Sequence, residues 1–378
     1  MAKVARIPIT NIYMGGDYTG RILVGPQQKP MNVILDTGSS ALALDGHKYQ
    51  PETAAGDKVT DLAQTDAYGD GSSWTGAVIT TTVAAGAGAS QVTLANANVA
   101  VAYDESADMF GATDGILGLA YAPLDNAFKM PGPTWPKKYT AAQVRAGTQQ
   151  DIAPYLTQLA GEDVVSDKVA FYTRRSFVHQ GGGADDPLNQ GWMIVGGGEE
   201  STDLYTGTFQ SVKVLADEWY NTNLKSIQVG TTTPLKVGAR GAKGMPSNSI
   251  VDSGTNSLNL GPTLLKGLFT RFSAEQQALL QQSVYDNRLV AVSELGNLAS
   301  WPKLTFVLEG DAGDVSLTVN PGDYWQVNTQ SVGAALCAIT VGEPGLDILG
   351  LPIMNGYFTI FDGEADGGRG VIKFATRK

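Results

Sequence analysis

The chain has 378 residues, enough for two domains with separate cores, and its formal net charge is −11. This acidic balance argues against a nucleic-acid-binding function, which depends on a basic surface. Charged residues make up 17% of the sequence and 46 residues are glycine, a balance typical of a turn-rich, mostly β protein. The sequence contains no run of eighteen apolar residues and therefore predicts no membrane span.

The N-terminal part of the chain predicts strands that end in tight turns. A buried strand leads into the phrase Asp-Thr-Gly-Ser-Ser at residues 36–40. The Gly-Asp-Gly sequence at residues 69–71 is typical of a turn. Apolar and polar residues alternate at 91–94, which predicts a further half-buried strand.

The middle of the chain predicts loops and a helix. Residues 130–138 are proline-rich and are predicted to form a surface loop, and residues 179–187 are glycine-rich and are predicted to form a flexible hairpin tip. A short helix is predicted at residues 152–159, and a second one later in the chain at residues 276–282. Residues 195–200 are predicted to connect the two halves of the chain.

The phrase around Asp36 returns in the second half of the chain. Residues 250–256, Ile-Val-Asp-Ser-Gly-Thr-Asn, repeat the pattern and present Asp252 in place of Asp36. An Ile-Leu-Gly triplet follows each phrase, at residues 116–118 and 348–350. This doubled order predicts two halves related by duplication. If the two turns face each other, their carboxylates cannot both ionise easily, so one can accept a proton while the other donates one.

These motifs resemble the pepsin-type aspartic protease family over nearly the whole chain. Residues 7–11 resemble the first strand of the family's mature enzymes, and residues 68–76 resemble the family's flap, a hairpin that closes over the substrate. The sequences at residues 114–121 and 357–362 are also close to those of the family. The resemblance implies a mostly β, bilobal fold with a cleft between two related lobes, an N-terminal lobe at 1–200 and a C-terminal lobe at 201–378. Within the family, the sequence is predicted to be closest to the bacterial shewasin-like homologues.

The resemblance also assigns roles to the residues of both turns. It implies that Asp36 and Asp252 form the catalytic dyad, which needs no cofactor and no metal. The residue directly after each Asp carries a hydroxyl that resembles the family's cross-lobe contact. The next residue is a glycine that lets the backbone approach the substrate, and the one after it carries a hydroxyl that bonds the carboxylate. These supporting residues are Thr37, Gly38, Ser39, Ser253, Gly254 and Thr255. Capping of the turns is the alternative role for the hydroxyls.

The flap residues implied by the resemblance are Tyr68, Gly69 and Asp70. Ala43 stands where many relatives have a tryptophan that hydrogen-bonds the flap tyrosine, so we expect the Tyr68 phenol to sample more than one orientation. Trp74 either substitutes for that tryptophan by packing or is a solvent-facing or strand-packing residue. Asp70 either pairs with a substrate lysine or serves as a turn residue.

The function implied is that of an aspartic endopeptidase with an acid optimum and a preference for apolar residues beside the scissile bond. We expect a monomer, since both Asp turns lie on one chain, with polypeptide substrates, pepstatin-like inhibitors and neither nucleic acid nor membrane as partner. A catalytically silent binding or inhibitor protein on the same fold is the alternative. His47 and His179 lie in no nucleophile motif, and Cys337 lies in an apolar run typical of a core.

The cysteine count bears on the compartment. Cys337 is the single cysteine, so the chain can form no internal disulfide, and the sequence contains no Asn-Xaa-Ser/Thr acceptor. No apolar leader precedes the first predicted strand. We therefore expect a cytoplasmic protein of bacterial type. The alternative is a secreted protein whose leader is absent from this sequence.

Overall fold

The computed structural model describes residues 2–106, 108–183, 185–238 and 244–378. Strands dominate these residues and helices are short, so the predicted mostly β fold is confirmed. The strands are β1 (Ala5–Met14), β2 (Asp17–Val24), β3 (Lys29–Asp36), β4 (Leu42–Asp45), β5 (Lys58–Ala67), β6 (Ser73–Ala85), β7 (Val92–Ser106), β8 (Gly115–Gly118), β9 (Asn126–Lys129), β10 (Thr148–Asp151), β11 (Lys168–Tyr172), β12 (Gln190–Val195), β13 (Tyr205–Lys213), β14 (Asn221–Thr222), β15 (Leu224–Val229), β16 (Leu235–Lys236), β17 (Ser249–Val251), β18 (Leu258–Leu260), β19 (Val290–Ala291), β20 (Leu304–Leu308), β21 (Val315–Val319), β22 (Trp325–Val327), β23 (Ala334–Cys337), β24 (Ile339–Val341), β25 (Asp347–Leu349), β26 (Tyr357–Asp362) and β27 (Val371–Arg377). The α-helices are α1 (Ala141–Arg145), α2 (Tyr155–Gly161), α3 (Pro262–Phe269), α4 (Ala274–Leu280), α5 (Val292–Leu295), α6 (Pro321–Tyr324) and α7 (Leu351–Met354).

The chain forms two compact units. Unit 1 comprises Met1–Ile9, Tyr18–Val169 and Met193–Gly197, and unit 2 comprises Thr10–Asp17, Ala170–Trp192 and Gly198–Lys378. The predicted division at residue 200 lies close to the last change of unit. Segments 10–17 and 170–192, which the prediction places in the N-terminal lobe, group with unit 2. Aromatic packing explains this for the second segment, since Phe171 meets Phe361 of β26 edge-on with ring centroids 5.9 Å apart.

In unit 1 the strand that enters the first Asp turn and the strand that leaves it lie on either side of a third strand. The strand order is β10-β9-β5-β6-β7-β4-β8-β3-β2, and β2 also pairs with β6. Strand β8 runs parallel to β3 and antiparallel to β4. It therefore lies between the strand that enters the Asp36 turn and the strand that leaves it. Side chains of these strands, such as Leu35 and Leu44, are fully buried.

Unit 2 repeats this arrangement of three strands in a smaller sheet. The order is β14-β17-β25-β18-β24, in which β25 runs parallel to β17 and antiparallel to β18. Strand β25 therefore lies between the strands that enter and leave the Asp252 turn. Three further groups of strands complete the unit, in the orders β11-β26-β27-β13, β16-β15-β20-β21 and β19-β23-β22.

Local sequence signals set the ends of the helices. The predicted helix at 152–159 begins later, at Tyr155, because Pro154 serves as its N-cap and a proline is tolerated at a helix start rather than inside. The helix predicted at 276–282 is α4, which begins after Ser273, whose side chain accepts a hydrogen bond from the Gln276 amide in a capping box. A π-helical turn at Gln281–Tyr285 continues it.

Close backbone packing explains the glycine of each Ile-Leu-Gly triplet. A Cβ atom built on Gly118 would lie 2.4 Å from the carbonyl carbon of Ser40, and one built on Gly350 would lie 2.2 Å from the carbonyl oxygen of Thr255. The atoms in the way are backbone, which cannot rotate aside. Any side chain at either position would therefore push the strand away from the turn that follows the Asp.

We predict that Gly118→Ala and Gly350→Ala each lower the free energy of unfolding by about 3 kcal/mol or more, because the added methyl group overpacks a backbone contact. Thermal and urea unfolding measure the effect. Gly161→Ala is the matched control: it lies at the end of α2, and a Cβ atom there meets nothing within 4 Å. The control should be neutral or slightly stabilising. Equal stability of all three variants would contradict the packing explanation.

Candidate active site

The first Asp turn surrounds a carboxylate with its own backbone and hydroxyl donors. Asp36 is 5% exposed and ends β3. The Gly38 amide donates to Asp36 Oδ1 at 2.7 Å, and the Ser39 hydroxyl donates to Asp36 Oδ2. The chain beyond β8 is held to the same turn, since the Leu119 amide donates to the Asp36 carbonyl at 2.8 Å.

The second Asp turn has the same hydrogen-bond pattern. Asp252 is 6% exposed. The Gly254 amide donates to Asp252 Oδ1 at 2.9 Å, and the Thr255 hydroxyl donates to Asp252 Oδ2 at 2.5 Å. The Asp252 amide donates to the Leu349 carbonyl of β25 at 3.1 Å. Each Asp turn therefore presents a buried carboxylate that accepts from a backbone amide of its own turn on one oxygen and from a hydroxyl of its own turn on the other.

The hydroxyl residue directly after each Asp is buried, and its predicted cross-lobe role stays a prediction. Thr37 is fully buried and Ser253 is 1% exposed. Gly38 and Gly254 contribute the amides that bond the carboxylates, in addition to any role toward a substrate. Carboxylates held in this way are suited to proton transfer at a fixed position, because their side chains cannot rotate without losing two hydrogen bonds.

The predicted flap is a hairpin formed by β5 and β6 with its tip at residues 68–72. The Tyr68 amide donates to the Ser72 carbonyl at 2.9 Å, and the Gly71 amide donates to the Tyr68 carbonyl at 3.0 Å. Asp70 accepts from both the amide and the hydroxyl of Ser72, at 2.8 and 2.6 Å through Oδ1. The turn role of Asp70 is therefore present in the structure, and its pairing with a substrate lysine stays a prediction. Gly69 is exposed at the tip.

Tyr68 has a tryptophan partner in Trp74, the residue that the sequence offers as a substitute for the one missing at position 43, and the expectation of more than one phenol orientation stays a prediction. The Trp74 indole Nε1 donates to Tyr68 Oη at 3.2 Å, and Trp74 is 1% exposed, which excludes the solvent-facing alternative. Burial raises the pKa of the Tyr68 phenol well above its usual value, and the charges of Asp66 and Asp36 add to the effect. The phenol therefore stays protonated and available as a donor.

A buried carboxyl beside the flap was missed because no motif marks it. Asp125 follows the loop after β8, is 2% exposed and accepts from the Gln64 side-chain amide of β5 at 2.6 Å. Burial raises the pKa of Asp125 to about 8, the bond from Gln64 opposes this rise, and the nearby charge of Asp66 adds to it. Asp125 is therefore neutral at acid and neutral pH and connects the flap strand to the loop.

The described residues give little support to a mechanism that uses a histidine base, a cysteine nucleophile or a metal ion. His47 is exposed, and His179 pairs through Nδ1 with Asp186 Oδ2 at 2.5 Å. Cys337 is buried, and burial raises the pKa of its thiol far above the usual range, so it is not a thiolate nucleophile. Among the residues described, no group of three or more His, Cys, Asp or Glu side chains is arranged to hold a metal ion. No described helix is both long and apolar enough to cross a membrane.

Comparison with protein families identifies the class. The family model for the eukaryotic aspartyl proteases matches residues 17–132 and 182–374, which include both Asp turns and the flap hairpin. The chain belongs to this family of pepsin-like hydrolases. The finer assignment to the bacterial shewasin-like group stays a prediction.

Individual relatives are similar along most of their length. Cathepsin D of Chionodraco hamatus is 26% identical, over 94% of this chain and 80% of its own length. Gastricsin of Mus musculus and pepsin II-2/3 of Oryctolagus cuniculus are each 25% identical, over 93% of this chain and 79% of their own lengths. The likeness therefore extends through both units rather than resting on the Asp turns alone.

The buried carboxyl predicts a specific pH dependence of stability. Folding raises the pKa of Asp125 from 3.8 to about 8, so the folded protein binds one more proton than the unfolded chain between these values. Its contribution is fully present below pH 3.8 and is lost as the pH rises through 8. We predict that Asp125→Asn raises the melting temperature at pH 8 and changes it little at pH 4, since each pKa unit corresponds to about 1.4 kcal/mol.

Thermal unfolding at the two pH values tests this. Asp311→Asn, at an exposed position, is the control and should shift neither melting temperature. An Asp125→Asn variant whose melting temperature changes equally at pH 4 and pH 8 would show that Asp125 is not the titrating group.

Proposed function

We propose that the protein is an aspartic endopeptidase in which Asp36 and Asp252 act together as the catalytic dyad. The observation that carries the proposal is the matched geometry of the two turns: in each, a glycine amide bonds Oδ1 and a hydroxyl bonds Oδ2 of a buried aspartate. In both turns the amide donor lies two residues after the aspartate and the hydroxyl donor three residues after it, so the repeat in the sequence is also a repeat of the hydrogen bonds. Family membership supports the same assignment.

In the proposed reaction the dyad activates one water molecule. One carboxylate removes a proton from the water as its oxygen attacks the carbonyl carbon of the scissile peptide bond. The other carboxyl, protonated, donates its proton to the carbonyl oxygen, which gives a tetrahedral diol. A proton then passes from the dyad to the leaving nitrogen and the C–N bond breaks. The shared proton belongs to the pair, so its titration is a property of both groups.

The proposed substrates are extended polypeptides with apolar residues beside the scissile bond, hydrolysed at acid pH by the monomer. The flap supports this proposal, because Tyr68 lies at the tip of a hairpin and stays protonated as a donor. Pepstatin-like compounds are the proposed inhibitors. A catalytically silent binding protein on the same fold is the alternative function, and a single digestion assay separates the two.

The compartment is a separate proposal. We propose a cytoplasmic location, since the single cysteine allows no internal disulfide and Cys337 is buried. Fractionation of the source cells with an antibody against the protein tests this. Recovery of the protein outside the cell would support secretion instead.

We predict that Asp36→Asn and Asp252→Asn each reduce the hydrolysis of denatured haemoglobin at acid pH by at least about 100-fold, because asparagine keeps the shape but exchanges no proton. Pepstatin should inhibit the wild type. Melting temperature and circular dichroism would show whether each variant stays folded.

Asp311→Asn removes one exposed carboxylate outside both turns and should keep full activity. Substantial activity in either turn variant would refute the dyad. A wild type that binds pepstatin but cleaves no peptide between pH 2 and pH 7 would favour the silent binding protein.

We predict that Asp70→Asn selectively weakens the cleavage of peptides with lysine before the scissile bond. Asparagine keeps the acceptor oxygen that bonds Ser72 but removes the charge, and a charge-assisted hydrogen bond contributes about 1.5–3 kcal/mol. Matched lysine and leucine peptides measure the effect through kcat/KM. Equal losses on both peptides would leave Asp70 with its turn role alone.

A further inference from the structure

Strand β5 has two different faces where it approaches the flap tip. Its pairing with β6 is regular over residues 63–67, so successive side chains lie on opposite faces. Ala63 is fully buried in a hydrophobic cluster with residues of the segment after β9 and of α1. Gln64, Asp66 and, directly beyond the strand, Tyr68 lie on the opposite face.

The face that carries Gln64 and Tyr68 is directed toward the first Asp turn. The Gln64 side chain bonds Asp125, which belongs to the segment that follows β8. The same segment is held to the turn, since the Leu119 amide donates to the Asp36 carbonyl. Tyr68 lies near enough to Asp36 for the charge of that carboxylate to raise the pKa of the phenol. The residue between Gln64 and Tyr68 on this face therefore also faces the turn.

That residue is Asp66, and its carboxyl group has few partners. Asp66 is partly buried. Among the residues that the structure describes, the carboxyl group has one hydrogen bond, from the Ala67 amide to Oδ1 at 2.8 Å, and no ion pair within 4 Å. Burial raises the pKa of Asp66, while the Ala67 amide and the more distant charge of Arg145 oppose the rise.

A buried carboxylate elsewhere in unit 1 has more donors. Asp57 is 3% exposed and accepts from the Tyr49 hydroxyl and the Glu52 amide, both at 2.8 Å, and also from the Thr81 hydroxyl. A carboxylate that loses water without gaining such partners costs free energy. A partner from outside the chain would remove this cost at Asp66. Ionisable groups with a strongly altered environment are typical of binding and catalytic sites.

We propose that Asp66 is a specificity-determining residue of the flap strand, whose carboxylate binds a lysine or arginine side chain of a polypeptide held between the flap and the Asp36 turn. A cation is the ligand that forms the strongest hydrogen bonds with a carboxylate. The inference rests on the proposed peptidase function for the identity of the ligand. Asp66 and Asp70 lie on opposite sides of Tyr68 in the chain, so each contacts a different position of the peptide.

The contact depends on the ionisation of Asp66. The titratable groups near it are Arg145 of α1, Asp125 after β8 and Tyr68 at the end of the strand. Of these three, Arg145 is the one that carries a charge at acid pH, because burial raises the pKa of Asp125 to about 8 and that of the Tyr68 phenol well above its usual value. The preference for a cationic side chain should therefore increase with pH as Asp66 loses its proton.

Peptides with a single lysine at successive positions on both sides of the scissile bond test the proposal. Each is matched by a norleucine peptide, which has a similar length and no charge. We expect Asp66→Asn to lower kcat/KM for lysine relative to norleucine by about 10-fold at one position, because a hydrogen bond to a charged group is lost. That position should differ from the one at which Asp70→Asn acts.

Two further variants separate a lost contact from a general defect. Asp61→Asn removes a carboxylate of the same strand that already pairs with Lys129 at 3.3 Å, and it should leave every ratio unchanged. Asp66→Lys should change the preference at the affected position from lysine to glutamate, which partial unfolding cannot produce. Equal losses on lysine and norleucine peptides, or the same pattern in Asp61→Asn, would overturn the proposal.

Binding without hydrolysis keeps this proposal distinguishable from the proposed peptidase function. The same lysine and norleucine series, with a reduced amide in place of the scissile bond, is titrated by calorimetry between pH 4 and pH 6. At one position the lysine peptide should bind the wild type about 10-fold more tightly than its norleucine partner, increasingly so at higher pH, and should lose this advantage in Asp66→Asn.

Selective binding of lysine peptides by a protein that cleaves none of them would support the role of Asp66 and refute the proposed peptidase function. Cleavage without a preference for lysine that depends on Asp66 would refute the role of Asp66 alone. A protein that binds neither series would refute both.

Discussion

Both Asp turns depend on the absence of a Cβ atom at Gly118 and Gly350. Gly118 is the last residue of β8 and Gly350 directly follows β25, and each of these strands lies between the two strands of its Asp turn, so three backbone segments meet where a methyl group has no room. The closeness of these segments lets the chain beyond the strand bond the turn, as the Leu119 amide does with the Asp36 carbonyl. The position of the carboxylate therefore follows from backbone packing more than from its own side-chain contacts.

Buried aspartates of this chain accept hydrogen bonds from different kinds of donors. Asp36 and Asp252 have an amide donor on one oxygen and a hydroxyl donor on the other, and both sit in turns shaped to provide them. Asp125 is as deeply buried and accepts from the side chain of Gln64, and burial raises its pKa to about 8. The three aspartates are therefore similarly buried but differ in the donors that reach their carboxyl oxygens.

The sequence predicted those features that local motifs encode. The doubled Asp phrase and its Ile-Leu-Gly partner indicated both turns, because tight turns and close backbone contacts demand particular residue types at fixed spacing. Side-chain contacts between strands are not marked by any motif in the sequence. Neither the bond from Gln64 to Asp125 nor the bond from Trp74 to Tyr68 follows from spacing, since each depends on strand register. The grouping of segment 170–192 with unit 2 likewise depends on contacts across strands, through strand pairing and aromatic packing.

The β5–β6 hairpin contains both the Tyr68 phenol and its hydrogen-bond donor, Trp74. Its internal geometry is set by β5, β6 and the turn at residues 68–72, so it places no demand on the side chain at position 43. The side chain at position 43 therefore needs no hydrogen-bond donor, and only its size is limited. Alanine is small enough to fit where β4 packs against its neighbouring strands. Exchanging the whole hairpin between homologous chains should therefore transfer the orientation of the phenol with it, without compensating changes in the strand that leaves the Asp36 turn.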